Sequence, residues 1–247
     1  MMSLATVSTG DVIRQQVIYK WYSFTELLRS LVFMQVIAII FSAIGTGGMG
    51  TSDDMFSLEV TTYSANIVFA FTLFWLLVTP AMITSKNYMY EDFSYVTTRL
   101  ITQISNAIFF VAVTLIATVF TVLSSYLIYL IMSLTRPAQY FPGLSTVGSP
   151  GELFIAGAGI FGYYLIAVAI GYLFGALLKI SKLFFVLIPM VLFVPGLLDA
   201  YFFYEFLNMF YVQESSLLLF LFKAVLTALA GYGAAVLILN KREVREA

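Results

Sequence analysis

Residues 101–133 read ITQISNAIFFVAVTLIATVFTVLSSYLIYLIMS. An apolar run of this length exceeds the roughly 18 to 20 residues that cross a hydrocarbon core about 30 Å thick. The helical pattern extends further, over 96–134, which is about 58 Å at 1.5 Å per residue. A helix that long either projects beyond the bilayer or tilts strongly within it. Working outward, further apolar stretches at 31–49, 64–84, 152–178, 183–204 and 215–239 bring the expected crossings to six. The chain has 247 residues, 61% of them hydrophobic and 10% charged, and a mean hydropathy of +0.97. A soluble domain carries about 25% charged residues, so the expected fold is an all-α polytopic membrane protein and a soluble enzyme is excluded.

The absence of histidine and cysteine removes the usual metal ligands, thiolate nucleophiles, disulfides and the common general base. Charge distribution orients the spans. Arg14, Lys20, Arg29, Lys86, Arg99, Lys179, Lys182, Lys241, Arg242 and Arg245 fall on one side of this path and only Arg136 on the other, with Lys223 inside the last crossing. Basic residues mark the cytoplasmic side, so both termini are expected there, in a multi-pass protein of the cell membrane. The outer connections, with Asp53, Asp54, Glu59 and Glu152, are acidic. The first residues, MMSLATVSTGDVIRQQ, show neither a basic n-region nor an apolar run, and no cleaved signal peptide is expected.

Three segments outside the upright spans carry their own patterns. Within residues 1–30, the stretch 11–30 aligns Val17, Trp21, Phe24 and Leu28 at helical spacing, which predicts an amphipathic interfacial helix with Trp21 and Tyr22 at headgroup depth. A straight extension of the first span is the alternative. Residues 31–240 form the transmembrane domain and 241–247 a basic tail. Between the second and third spans, SKNYMYEDFSYVTTRL (85–100) places Met89 and Phe93, and Glu91 and Tyr95, four apart; this predicts a short helix exposing Glu91 and Asp92. The run 183–211 contains Pro189, Pro195 and Gly196. Proline removes a backbone donor and clashes with the preceding turn, so a broken helix and a re-entrant or interfacial piece over 197–211 are expected before the last span.

GTGGMG at 45–50 matches a dinucleotide-binding pattern but follows an apolar helix rather than a strand, and it reads as a flexible outer turn. No Gly-Lys pair occurs, so a Walker A loop is missing. The fourth span carries Gly157, Gly159, Gly162, Gly171 and Gly175, and the sixth Ala224, Ala228, Gly231 and Ala235. Small residues at this spacing let helices approach closely in lipid, either within the chain or across a dimer. Gln103 and Asn106 share a helical face with Arg99; polar side chains on a membrane helix avoid lipid and mark a contact or a polar pathway. Lys223 either snorkels to the interface or pairs with Asp199, Glu205 or Glu214 as an outer gate or substrate contact.

This order of parts resembles the membrane subunit of a type-2 ATP-binding-cassette (ABC) exporter: an elbow at 11–30, six spans with both ends inside, an aromatic and acidic cytoplasmic helix at 86–98, and a Pro-Gly-broken segment before the last span. The small size and short outer loops are similar to permeases of Gram-positive bacteriocin-immunity and peptide-toxin exporters. The large outer domain of some antimicrobial-peptide resistance permeases is missing. The resemblance implies a non-catalytic permease that exports amphipathic or hydrophobic peptides, toxins or lipid-like compounds. It implies pairing with a second permease copy, identical or not, and with a cytoplasmic ATPase that binds ATP and Mg; the chain itself needs no cofactor, metal or nucleic acid. Tyr88, Tyr90, Glu91, Asp92 and Phe93 would then enter a groove on that ATPase, and Gln103, Asn106, Asp199 and Lys223 would line the substrate pathway or gate. The competing readings are an ATP-independent secondary transporter or channel and, more remotely, an intramembrane enzyme.

Overall fold

A computed structural model describes residues 8–45, 47–53, 56–85, 98–135, 149–187, 190 and 202–241. Helix α1 spans Thr9–Ser23 and α2 Thr25–Ile44. A hairpin follows, of β1 (Gly47–Asp53) and β2 (Phe56–Thr62). The remaining helices are α3 (Asn66–Ile83), α4 (Arg99–Thr135), α5 (Pro150–Ile180), the short α6 (Phe202–Leu207), a π-helical turn at Asn208–Val212, and α7 (Leu217–Lys241). Among the described residues, α2, α3, α4, α5 and α7 are long and apolar enough to cross a membrane.

Helix ends follow local chemistry. Ser8 caps α1 by accepting the Asp11 amide at 3.2 Å. Ser149 caps α5 by accepting the Glu152 amide, with Pro150 at the first helical position, where its missing N–H costs nothing. Gly45 stops α2 at φ 124°, a conformation that favours a residue without a Cβ. The first span is therefore 25–44, shifted toward the amino terminus from the expected 31–49. The flexible turn expected at 45–50 is also revised. Gly47 to Asp53 pair antiparallel with Phe56 to Thr62, Gly47 opposite Thr62 and Asp53 opposite Phe56, so ladder hydrogen bonds order a glycine-rich strand that its own composition would leave loose.

Helices α3, α5 and α7 run in the same direction. Phe69 stacks on Tyr164 at 5.4 Å, Gly171 and Gly175 lie against Leu77 and Ala81, and Gly162 and Gly231 lie against Ala224 and Ala169. Parts of both small-residue stripes are thus covered within the chain: Gly171 and Gly175 of α5 by α3, Gly162 of α5 by α7, and Gly231 of α7 by α5, while a Cβ at Gly159 would meet nothing within 4 Å. Parallel neighbours have a topological consequence. The end of α5 lies with Lys179 at the end of the bundle where α4 begins, here called the basic end, whereas Tyr211 accepts a hydrogen bond from Tyr163 near the opposite end. The fifth expected crossing, 183–204, falls in the chain between these two points, and most of it, with Pro189, Pro195 and Gly196, lies outside the described residues.

The helix expected over 11–30 is present but ends at Ser23, and α2 begins immediately after Phe24. Its inward face combines part of the apolar stripe, Trp21 and Phe24, with polar residues. Gln16 and Lys20 are fully buried while Tyr22 is exposed. Specific polar contacts with α4 supplement the apolar ones here: Gln16 Nε2 donates to Thr102 Oγ1 at 3.1 Å, and Ser105 Oγ donates to Gln16 Oε1 at 2.8 Å. Trp21 and Phe24 then pack edge-on against Phe109, each at 5.4 Å. Helix α1 thus runs alongside the first turns of α4, in the same direction.

Candidate functional site

Helix α4 organises the interior. Its outward face is leucine, isoleucine and valine, while Ser105, Asn106, Thr114, Thr118, Thr121 and Ser124 are buried at helical spacing. Inside a bilayer every polar group needs an internal partner. The hydroxyls of Thr114, Thr118, Thr121 and Ser124 meet that demand on their own helix, each bonding the carbonyl four residues back at 2.7 to 2.9 Å. What remains is grouped in tiers that tie α4 to its neighbours.

The tier nearest the basic end centres on the Tyr172 hydroxyl. Asn106 Nδ2 donates to it at 3.1 Å, and it donates in turn to Gln103 Oε1. Tyr232 stacks on Tyr172 at 4.6 Å between ring centres and donates its hydroxyl proton to the Gln103 backbone carbonyl at 2.7 Å. Three helices, α4, α5 and α7, therefore meet at one turn of α4. Gln103 and Asn106, expected together on a polar face, are brought together. Tyr172 and Tyr232 were not foreseen; the available signal was a tyrosine within an apolar span, whose hydroxyl must find a partner when buried. The tier is incomplete: Asn106 is 4% exposed and its Oδ1 is buried with no hydrogen-bond partner.

A second tier lies two turns away along α5, about 12 Å by helical rise. There Gln35 Nε2 donates to Thr72 Oγ1 at 3.1 Å, and the Tyr164 hydroxyl lies 2.9 Å from Thr121 Oγ1 and 3.4 Å from the Phe69 carbonyl. This joins α4 to α5 and α3, and α2 to α3, in the part of the bundle away from the basic end.

Lys223 belongs elsewhere. It is nine residues before Tyr232 on α7, about 13 Å by helical rise, and its Nζ donates to Glu214 Oε2 at 2.5 Å and to the Phe210 carbonyl at 3.2 Å. It also lies 4.5 Å from the Phe210 ring centre. Of its three candidate acids, Glu214 is the partner; Glu205 is exposed. Lys223 supplies a donor and a positive charge where a helix end leaves carbonyls without partners. The Tyr163 hydroxyl, without a charge, donates to the Tyr211 carbonyl at 3.1 Å, and the Tyr211 hydroxyl meets Thr227 Oγ1 at 2.6 Å. Four contacts thus strap the π-turn and the link that follows it onto α5 and α7. The hydrogen bond from Lys223 holds the Glu214 carboxyl below its ordinary range. Asp199 and the stretch with Tyr88, Tyr90, Glu91, Asp92 and Phe93 lie outside the described residues. No cluster of potential metal ligands occurs among the described residues.

The five long apolar helices and their internal polar tiers define a multi-pass membrane protein. Comparison with protein-family models, curated proteins and solved structures finds no match.

Proposed function

We propose that this chain is the permease subunit of a type-2 ABC exporter, moving amphipathic or hydrophobic peptides, toxins or lipid-like compounds out of the cell with ATP hydrolysed by a separate cytoplasmic subunit. The observation that carries this reading is mechanical. Helix α4 is one uninterrupted rod of 37 residues, its first residue directly follows the 86–98 segment, and α1 is clamped to its first turns through Gln16, Trp21 and Phe24. A force applied at 86–98 reaches α4 with α1 attached, and the Tyr172 hub passes it to α5 and α7. In this reading Glu91 and Asp92 meet basic residues of the ATPase groove, while Tyr88, Tyr90 and Phe93 anchor the contact, as aromatic residues do at interfaces.

The same reading places the chain in the cell membrane with the basic end in the cytoplasm, in keeping with the bias of lysine and arginine. It includes a sixth crossing between Lys182 and Phe202, since the described chain on either side stands at opposite ends of the bundle. The strap, the π-turn and the link that follows it, then sits at the outer face, closed by Lys223 and Glu214. A second permease copy completes the translocation path.

The test is Glu91→Lys with Asp92→Lys in the full chain. Loss of a co-purifying ATPase, or ATP hydrolysis without transport, is expected. Unchanged assembly and transport by the double variant removes the coupling role. Nucleotide-independent uphill flux by the polypeptide alone in vesicles replaces the exporter with a secondary transporter.

A further inference from the structure

In the Tyr172 tier, Asn106 Oδ1 is the one fully buried side-chain atom that finds no hydrogen-bond partner among the described residues. Its Nδ2 is engaged by Tyr172; the Tyr172 proton goes to Gln103 Oε1, and the Tyr232 proton goes to the Gln103 carbonyl. The acceptor left over is Asn106 Oδ1, buried and without a donor. An unsatisfied buried acceptor is destabilising, whereas an apolar residue of the same size avoids the cost. Leucine is also abundant on this helix, so packing alone gives no reason for an amide here. The surroundings are aromatic: Tyr172 is stacked on Tyr232 and edge-on to Phe110 at 5.9 Å.

We propose that Asn106 Oδ1 is a recognition acceptor for an uncharged N–H or O–H group on an apolar molecule, which enters between α4 and α5 when the bundle opens. An acceptor calls for a donor. The charged residues nearest this end of α1, α4 and α5 are Lys20, Arg99 and Lys179, and the carboxylate of Glu26 at the start of α2 is already paired with Arg29, so an uncharged donor is the better match than an ammonium. The aromatic faces suit an apolar body attached to it. A peptide amide and the amide of a sphingolipid share this chemistry. Assigning the molecule as cargo rests on the exporter reading; the binding itself does not.

The test uses the full chain in phosphatidylcholine nanodiscs, whose headgroups carry no N–H or O–H donor. The probes are N-methyldodecanamide, with one N–H, and N,N-dimethyldodecanamide, with none. The secondary amide should raise the thermal midpoint by about 2–4 °C, and the tertiary amide should leave it unchanged. Asn106→Leu should abolish the response, read as the shift relative to its own unliganded midpoint; Asn106→Ala removes the same atom if the leucine variant does not fold. Equal shifts from both amides, or a response retained in the variants, overturns the proposal. Separate arms with acetyl-trileucine amide and with N-hexanoylsphingosine distinguish a peptide from a lipid source. A donor-specific shift without any co-purifying ATPase leaves the site standing and removes the exporter; ATP-coupled transport without a donor-specific shift removes the site alone.

Discussion

The close approach of α5 to α3 makes a prediction whose sign reverses between glycines of similar sequence context. A Cβ added at Gly171 collides with the Leu77 carbonyl, and one at Gly175 with the Ala81 backbone and Thr84. Backbone cannot rotate away, so Gly171→Ala must push α3 from α5 along their shared length. Overpacking of this kind costs about 1–3 kcal/mol, and the gain in helix propensity from glycine to alanine returns about 1 kcal/mol. The net expectation is a loss of up to about 2 kcal/mol. Gly231 is the control. A Cβ there stands 3.6 Å from Ala169 Cβ, and one at Gly233 meets nothing within 4 Å, so only the propensity gain remains and Gly231→Ala should be neutral or stabilising by up to about 1 kcal/mol. Thermal unfolding in nanodiscs, followed by circular dichroism, orders the variants. If Gly171→Ala melts at or above the temperature of Gly231→Ala, the α3–α5 contact is not as close as described.

The strap makes a pH prediction. Because the Glu214 carboxyl is held below its ordinary value of 4.5, its contribution to stability is present above that value and is lost as pH falls through the lowered one; melting curves should stay flat at neutral pH and drop only below about pH 4.5, and Glu214→Gln should abolish the acid drop. Lys223→Met should expose the 202–212 segment to protease while leaving the helical bundle folded, whereas joint loss of both would make Lys223 a determinant of the whole fold. Tyr164→Phe keeps the stack on Phe69 but removes the hydroxyl shared with Thr121 and the Phe69 carbonyl. A loss of about 0.6–2 kcal/mol is expected, and an unchanged midpoint would mean that the second tier adds nothing to stability.

Much of the architecture is legible from hydropathy because a bilayer imposes one demand on every crossing residue. The spans expected at 64–84, 101–133, 152–178 and 215–239 match α3, α4, α5 and α7 to within a few residues. The overlength of α4 follows from the same count. The misplaced elements are those in which a local partner overrides the pattern. The break at Phe24 moves the first span, and the amide and hydroxyls of Gln16, Thr102 and Ser105 turn a polar face of α1 inward. The strand at 47–53 needs its partner at 56–62, which lies beyond the reach of a local reading.

The candidate site divides along the same line. The spacing of Gln103 and Asn106 already puts them on one face, because helical periodicity is a property of the chain alone. That Tyr172 and Tyr232 meet them, that Glu214 rather than Glu205 takes Lys223, and that Gly171 and Gly175 lie against α3 depend on which helices become neighbours. The sequence by itself settled that these segments cross lipid and which of their faces are polar, since transfer from water acts residue by residue. Only the tertiary structure decided which polar atoms find partners and which, Asn106 Oδ1 and Ser42 Oγ among the described residues, do not, since hydrogen bonding requires atoms from distant segments to arrive within about 3 Å of each other.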